Sequence, residues 1–513
     1  MKKLLAIILI IYASTLSNGQ EFSVAIPVTP DMRADVGIQM AILDDGFLIA
    51  GASFCHSQTY DYCLGLLRVD MQGNTIWNLL VDGSPDTNLF MQGLTLALKG
   101  DTAFVAAEIW KTDHKEIRVM SFDLDGNWLN QQDVAIPYTT ELFPRGMIID
   151  DNKLLLYGEV ANNGHLVFLE VLDLHLNTLH SYRIGDSAFN KRFMQLNKMQ
   201  NGGYVLAYGE GSFLDVSVVI KKFSANFEEI FSKKILPAAE PYTIVNIFET
   251  EDKGFMLAWH KDLFFSQADA FPYPTAIYKL DSLANMEWEY VFAHRSAKQH
   301  TSTVKVSGDK MLGIGATDYW GVSGIYPERW ADGWSFLMDT QGNLLWQRNI
   351  ADVRDTYGGR LWHGLETETG FVLVGDIDKI NASGTPFLND PDVWLLTLDE
   401  NGCWNGNCQD YIVITGDSTS ITDTREADQT KVKYGAFPNP SAGILNLTCE
   451  PCDFGPTRQV FVFDMYGKKV FEQHLYAPQS TINLTQLANG IYNVVQTVDN
   501  NVEYIHRIVL NRF

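Results

Sequence analysis

The feature that most constrains the fold of this 513-residue chain is a phrase that it repeats. "DMQGNTIWNL" begins at Asp70, and "DTQGNLLWQR" begins at Asp339. Each phrase belongs to a longer unit, in which an apolar strand follows a Gly-rich turn and a second apolar strand ends in Asp. Because internal repeats are the signature of repeat architectures, the units decide the fold class before any single motif does.

Seven units follow one another at spacings of 50 to 60 residues. They begin at Asp44, Lys99, Asp150, Asn201, Glu251, Ser307 and Thr367. Their second strands end at Asp70, Asp123, Asp173, Ser224, Asp281, Asp339 and Asp399. Another apolar strand precedes each Gly-rich turn, and a fourth follows each second turn. Four short strands in about 50 residues, seven times over, predict an all-β fold with a seven-bladed β-propeller over residues 20–411.

The tryptophans fit this packing. Trp77, Trp288 and Trp346 each follow an Asn by three residues, just after a hairpin turn, and Trp128 and Trp404 lie nearby in their own units. Stacking on a ligand is one interpretation, but rings that fill the wide outer gap between blades are favoured. Unit seven lacks an obvious fourth strand, so we expect "EFSVAIP" at 21–27 to supply it and close the ring.

The chain begins with features of a secretory signal peptide over residues 1–19. Lys2 and Lys3 precede a ten-residue apolar run, and Ser17 and Gly19 supply small residues before a cut at Gln20. The apolar run is too short to cross a bilayer as a helix, and no later stretch is long and apolar enough. Cleavage would leave a net charge of −26. Such acidity repels phosphate backbones, so nucleic acid is excluded as a partner.

Six cysteines fall into three close pairs: Cys55/Cys63, Cys403/Cys408 and Cys449/Cys452. In an exported chain, local pairs favour disulfides over metal ligands. Zinc would need two CxxC-like pairs, and only Cys449/Cys452 has that spacing. The sequence therefore predicts disulfides, no metal centre and no cofactor, with Cys403/Cys408 clipping the exit from the last blade.

The composition changes after residue 411. A polar linker is expected over 412–434, and alternating apolar strands and Gly turns predict a small β-sandwich over 435–513. This tail resembles the type A C-terminal sorting domain of type IX secretion substrates. The matching residues are Pro438, Asn439, Pro440, Asp464, Gly467, Lys468, Leu487, Gly490, Ile491 and Tyr492. The resemblance implies recognition by the secretion machinery, passage through the periplasm and outer membrane, and release or anchoring at the cell surface. The propeller resembles kelch-like repeat proteins in architecture alone.

A site is expected where the connections between second and third strands open, at the upper end of the blades. Those connections are longest in units five, six, seven and one, which are neighbours in a closed ring. They contain Trp259, Tyr319, Trp320, Tyr326 and Trp330. Aromatic platforms beside carboxylates suit a glycan or an extended peptide, although for these aromatic residues a small core that holds the loops together is the favoured interpretation.

Polar residues of unit seven complete the candidate site. Arg360 and His363 lie in "GGRLWHG" near the expected channel mouth, and Asp376 and Asp378 follow a strand of the same unit. The two aspartates suit Ca²⁺, but no complete D-x-D-x-D-G loop is present, so a structural calcium ion stays open. No nucleophile elbow, HExxH motif, P-loop or dinucleotide fingerprint occurs. A binding or scaffold module is therefore favoured over a carbohydrate-active hydrolase or lyase and over a purely structural surface protein.

Overall fold

The computed structural model describes residues 21–28, 35–56, 61–81, 88–111, 114–136, 141–161, 165–184, 190–212, 215–238, 245–260, 275–292, 297–318, 331–354, 356–380, 386–414, 433–437, 441–450, 458–464, 468–475, 479–498 and 501–511. Within these ranges the regular secondary structure is all β-strand, as the sequence predicts. The chain divides into two compact units, and the second contains the tail.

The first unit is a seven-bladed β-propeller built from seven sheets. Strand β1 (Ser23–Ile26) comes first in the chain. Blade 1 contains β2 (Asp35–Leu43), β3 (Gly46–His56), β4 (Asp61–Asp70) and β5 (Thr75–Val81). Blade 2 contains β6 (Asn88–Lys99), β7 (Thr102–Trp110), β8 (Lys115–Asp123) and β9 (Trp128–Val134). Blade 3 contains β10 (Glu141–Asp150), β11 (Lys153–Ala161), β12 (His165–Asp173) and β13 (Thr178–Ile184). Blade 4 contains β14 (Asn190–Lys198), β15 (Tyr204–Ser212), β16 (Asp215–Phe223) and β17 (Glu229–Ala238).

Blade 5 has the same strand order as blades 1 to 4, whereas blades 6 and 7 each take a strand from elsewhere in the chain. Blade 5 contains β18 (Asn246–Glu249), β19 (Phe255–His260), β20 (Thr275–Leu280) and β21 (Met286–Val291). Blade 6 contains β22 (Ala297–Val306), β23 (Lys310–Asp318), β24 (Ala331–Met338) and β25 (Leu344–Asp352). Blade 7 contains β26 (Thr356–Thr367), β27 (Gly370–Ile380) and β28 (Pro386–Asp399). Strand β29 (Tyr411–Ile414) follows blade 7 in the chain.

One strand closes the ring, and another extends blade 6. β1 pairs antiparallel with β28 and becomes the outer strand of blade 7, as expected from the missing fourth strand of unit seven. β29 turns back and pairs in parallel with β25, as a fifth strand of blade 6. Residues 412–414, expected to begin the linker, therefore lie on the propeller, and Ile412 and Ile414 are fully buried there.

The hydrophobic core lies between blades. Each of the seven seams has its own cluster of buried side chains, contributed by the facing surfaces of two neighbouring sheets. The largest fully buried side chains include Trp259, Trp334 and Trp394. Both faces of a blade are thus covered only because it has a neighbour on each side.

The repeated Asp forms the hairpin turn at the lower end of six blades, and Ser224 takes its place in blade 4. Asp70 Oδ1 accepts hydrogen bonds from the amides of Gln72 (2.9 Å) and Asn74 (2.8 Å), and Asn74 Nδ2 donates to Oδ2 (2.9 Å). The same pattern recurs at Asp123, Asp173, Asp281 and Asp339. The carboxylate thus fixes the turn, which explains why the phrase recurs.

The tryptophan of the phrase packs on the next blade. Trp77 Nε1 donates to the carbonyl of Leu124 (3.0 Å) in the turn of blade 2, and a Cβ on Gly126 would lie 3.4 Å from its ring. Trp288 does the same at Thr340 (3.0 Å) and Gly342 of blade 6. These rings bridge neighbouring blades, in agreement with the packing interpretation. Trp128 instead remains 45% exposed.

Several inner strands carry a bulge at one level of the sheet, opposite a small residue on the second strand. The extra residues are Ile38 in β2, Arg145 in β10 and Trp362 in β26. A Cβ added at the facing Gly51 would lie 1.9 Å from the carbonyl oxygen of Val36. At Gly158 and Gly375 the equivalent distances are 2.1 Å and 1.8 Å. Glycine is therefore required at these positions of the second strand, because the backbone of the inner strand approaches too closely for a side chain.

The tail is a β-sandwich, as predicted. One sheet contains β30 (Lys433–Phe437), β31 (Ile444–Glu450) and β34 (Gln479–Asn483). The other contains β32 (Arg458–Phe463), β33 (Lys469–Leu475), β35 (Gly490–Val498) and β36 (Asn501–Leu510). Leu445, Leu447 and Ile482 of the first sheet share a core with Val460 and Val494 of the second.

Substitution of Gly51 by Ala is expected to destabilise the propeller by about 1 to 3 kcal/mol, because the new methyl group overlaps the Val36 carbonyl. The matched control is Gly65→Ala on the paired strand, where the nearest atom, Ser53 Oγ, is 3.2 Å away and belongs to a side chain. Urea unfolding of both variants measures the difference. If both variants unfold at the same urea concentration, the close approach of the inner-strand backbone is not the reason that glycine recurs at this position of the units.

Candidate functional site

Four of the predicted site residues lie on the two inner strands of blade 7, towards the upper end. Arg360 on β26 pairs directly with Asp376 on β27, and Asp378 follows two residues later on the same face of β27. Trp362 is the bulge residue of β26, and its Nε1 donates a hydrogen bond to Asp376 Oδ1. We call Arg360, Trp362, Asp376 and Asp378 the blade 7 cluster.

The two carboxyl groups of this cluster are largely withdrawn from water. Asp376 is 6% exposed and Asp378 is 8% exposed. Burial raises the pKa of Asp376 above its usual range, although the charge of Arg360 and the hydrogen bond from Trp362 act in the opposite direction. The cluster therefore combines a guanidinium, an indole and a carboxyl group that holds its proton more tightly than usual.

The neighbouring seam adds a buried carboxylate. Gly37 on β2 of blade 1 packs against Val374 and Val393 of blade 7. Two residues earlier, Asp35 is 1% exposed and accepts hydrogen bonds from the Val28 amide (2.7 Å) and the Ser53 hydroxyl. Sequence reasoning missed Asp35 and Trp362. Trp362 stood inside the quoted "GGRLWHG", but the bulge that turns it towards Asp376 has no local sequence signal.

The acidic position of Asp376 recurs in other blades. Glu108, Glu159 and Glu210 each follow the small residue that ends the first phrase of a unit, as Asp376 follows Gly375. Lys115 Nζ lies 2.7 Å from Glu108, Arg145 Nε lies 2.7 Å from Glu159, and Lys234 Nζ lies 4.0 Å from Glu210. Near the upper end of the ring, blades 2, 3 and 4 thus each contain an acid paired with a Lys or Arg. The sequence already contained a signal for these acids, a small residue followed by Glu or Asp.

His363 occupies the first paired position after the bulge in β26. In blades 1 and 4 that position holds Gln39 and Gln195, whose side-chain oxygens accept hydrogen bonds from inner-strand amides of the next blade, Leu96 and Ile247 (both 2.6 Å). His363 Nδ1 is buried and has no hydrogen-bond partner among the described residues. Burial lowers the pKa of His363 to about 4. We interpret it as a member of the inter-blade seam.

The predicted aromatic residues have different outcomes. Tyr319, Trp320, Tyr326 and Trp330 lie outside the described residues. Trp259 is 1% exposed in the seam between blades 4 and 5, and its ring centre lies 5.3 Å from that of Tyr278. Its surface is therefore used in packing and is not accessible to a ligand.

The cysteine pairs are partly described. Cys403 and Cys408 form a disulfide, as predicted, and Cys63 is also disulfide-bonded. The side chains of Cys55, Cys449 and Cys452 lie outside the described part of the chain. Among the described residues no three His, Cys, Asp or Glu side chains are grouped as a metal site, and none of the ranges given above contains a helix able to span a bilayer.

The tail retains the turn chemistry of the blades. Asp464 Oδ1 accepts the Lys468 amide (2.9 Å), and the Asp464 amide donates to the Lys468 carbonyl (3.0 Å). Tyr492 is 8% exposed, and its hydroxyl donates to the Ala488 carbonyl (2.9 Å), two residues before Gly490. Pro438, Asn439, Pro440 and Gly467 lie outside the described ranges.

Comparison with known protein families identifies the domain at the end of the chain. Residues 435–511 match the model of a secretion system C-terminal sorting domain. The tail is a sorting domain of type IX secretion. The sorting domain indicates export, to the cell surface or the surroundings. No curated protein sequence matches the chain.

Solved structures resemble the chain weakly. A neuraminidase-like protein of A/little yellow-shouldered bat/Guatemala has a TM-score of 0.38 and 8% identity, covering 58% of this chain and 94% of its own. The α-L-arabinanase of Penicillium chrysogenum has a TM-score of 0.39 and 12% identity, covering 62% of this chain and 94% of its own. The WD40 domain of SCAP from fission yeast has a TM-score of 0.36 and 9% identity, covering 75% of this chain and 96% of its own. These similarities are too weak to indicate a shared function, and the strand pairing identifies the propeller.

Replacement of His363 by Gln is expected to reduce the acid sensitivity of the fold. The unfolded chain binds this proton near pH 6.5 and the folded chain only near pH 4, so the His363 contribution is complete above pH 6.5 and declines as the pH falls. Between pH 7.5 and 4.5 the loss is roughly 2 to 3 kcal/mol. Urea unfolding at both pH values measures it.

The Gln variant also restores the side chain used at the same position in blades 1 and 4. His180→Gln, on the exposed part of β13, is the matched control. If both variants lose stability equally between the two pH values, His363 does not contribute to the acid response.

Proposed function

We propose that the exported propeller is a binding module that holds a glycan or a protein at its upper face. The observation that carries the proposal is the blade 7 cluster, which combines Arg360, Trp362 and two carboxyl groups on paired strands. A guanidinium and carboxyl groups provide directional hydrogen bonds, and an indole provides an apolar plane. This combination suits a ligand that has hydroxyl groups and apolar faces together, and a glycan is our first choice.

Rigid placement supports this proposal. Arg360 and Asp376 face one another across a strand pair, so their separation is set by the sheet. The sequence puts Tyr319, Trp320, Tyr326 and Trp330 in the connection between β23 and β24 of blade 6, the neighbour of blade 7, and we propose that they supply stacking contacts to the ligand. Sites that combine adaptable loops with a rigid scaffold are common in binding proteins.

Delivery to the outside also fits a binding role. The signal peptide would direct the chain to the periplasm, and the sorting tail would then take the propeller across the outer membrane. A module displayed there meets polysaccharides and surface proteins. Whether it is anchored or released does not alter the predicted face.

The test is a glycan-array and polysaccharide pull-down experiment with residues 20–513, compared with the double variant Trp320→Ala, Trp330→Ala. We expect wild-type binding and a loss of about tenfold or more in the variant, since an aromatic contact is worth about 0.5 to 1.5 kcal/mol and the variant removes two rings. Circular dichroism and the melting temperature establish that the variant is folded.

The matched control is Trp128→Ala, which removes an exposed indole at the lower end of blade 2. Equal binding loss in the control and the double variant would contradict an upper-face site. Absence of glycan binding by the wild type would favour a protein ligand or a purely structural role.

A carbohydrate-active hydrolase or lyase is the second candidate. Two observations support this second candidate: the pKa of Asp376 is raised, and the buried Asp378 lies two residues further along the same strand. Two carboxyl groups close together, one of them with a raised pKa, are the arrangement used in glycoside hydrolysis. Product analysis with each bound polysaccharide, with Asp376→Asn as the inactive comparison, tests it. Product formation that the variant retains would exclude Asp376 as the acid.

A further inference from the structure

The Cys403–Cys408 disulfide lies at the lower turn of blade 7, where the two ends of the propeller chain meet. Asp399 Oδ1 begins the turn by accepting the amides of Asn401 (2.8 Å) and Cys403 (2.7 Å). Cys403 is fully buried, whereas Cys408 is exposed. One cysteine of the bond is therefore exposed to solvent and the other is not.

The disulfide loop is held from blade 6. Arg348, on the outer strand β25, donates from Nε to the Gly402 carbonyl (2.8 Å) and from Nη2 to the Asn401 carbonyl (2.9 Å). The ring of Trp346 covers Gly402, where an added Cβ would lie 2.5 Å from it. The same strand β25 pairs with β29, which begins three residues after Cys408.

The loop is also held by the N-terminal segment. The Glu21 carboxylate accepts a hydrogen bond from the Asn405 amide, inside the loop. The next residues form β1, which is only four residues long. Just before β1, the Phe22 amide donates a hydrogen bond to Thr397 Oγ1 (2.8 Å), and within β1 the Ser23 hydroxyl donates to Asp352 Oδ2 (2.8 Å). A strand this short depends on contacts at its ends, and one end depends on the conformation of the disulfide loop.

We propose that Cys403–Cys408 is a thiol–disulfide exchange site that controls closure of the propeller, with a dithiol as its reductant. A thiolate of the dithiol attacks Cys408 Sγ, the S–S bond breaks, and Cys403 leaves as a thiolate that takes up a proton. The second thiol of the dithiol then displaces Cys408 and leaves as a cyclic disulfide, so two electrons pass to the protein. The freed loop no longer fixes the Asn405 amide and the Gly402 carbonyl, and β1 and β29 open more often. A low-molecular-weight disulfide reverses the exchange: the Cys408 thiolate attacks it and releases one thiol, the Cys403 thiolate then displaces the second thiol, and the closed ring is restored.

The experiment uses residues 20–513 and increasing dithiothreitol. Alkylation and peptide mass spectrometry measure reduction of each cysteine, and hydrogen exchange measures opening of β1, β29 and, for comparison, β11 of blade 3. We expect Cys408 to be alkylated before the buried Cys63, and exchange in β1 and β29 to accelerate about ten- to a hundredfold over the same range. β11 is expected to stay unchanged.

The double variant Cys403→Ala, Cys408→Ser is the matched comparison. It is expected to show fast exchange in β1 without reductant and no further response to low dithiothreitol. If that variant does not fold, the titration of the wild type still decides the question. Unchanged exchange in β1 after complete reduction of Cys403–Cys408 would overturn the proposal, and so would reduction of Cys63 before Cys408.

Discussion

Closure of the ring is the constraint on which the rest of this structure depends. Every blade buries both of its faces against neighbours, so an open ring would expose the facing surfaces of blades 7 and 1. Strand β1, from the N-terminal segment, completes blade 7 and closes the ring, and β29 covers the edge of blade 6. Loss of either strand would affect seams far beyond its own few residues.

The two ends of the blades perform different tasks. At the lower end the same Asp hydrogen-bond pattern fixes the turns of five blades, and tryptophans join blade 1 to blade 2, blade 5 to blade 6 and blade 6 to blade 7. At the upper end the acids that follow the small residue have different partners in blades 2, 3, 4 and 7, and blade 7 alone among the described blades places an indole beside its acid. Repetition at one end provides stability, and divergence at the other provides the variation that a binding surface needs.

Much of the fold was predictable. Seven units, the Asp turns, the ring closure by "EFSVAIP" and the sandwich tail all follow from local patterns, and the structure confirms them. The candidate site was less predictable. Arg360 and Asp376 were named separately, but their direct pairing, the role of Trp362 and the burial of Trp259 depend on register and on bulges. A one-residue change in register moves a side chain to the other face of a sheet, and composition does not reveal it.

The sequence by itself determined the strands, the turns and the sorting address, because each depends on residues that are neighbours in the chain. Glycine and asparagine tolerate the backbone conformations of a turn, and alternating apolar residues form a strand wherever they occur. Tertiary structure alone decided which side chains meet across a seam, which carboxyl groups lose water and which chain ends hold one another. Those contacts join residues hundreds of positions apart, such as Glu21 and Asn405, and only the closed ring brings them within hydrogen-bonding distance.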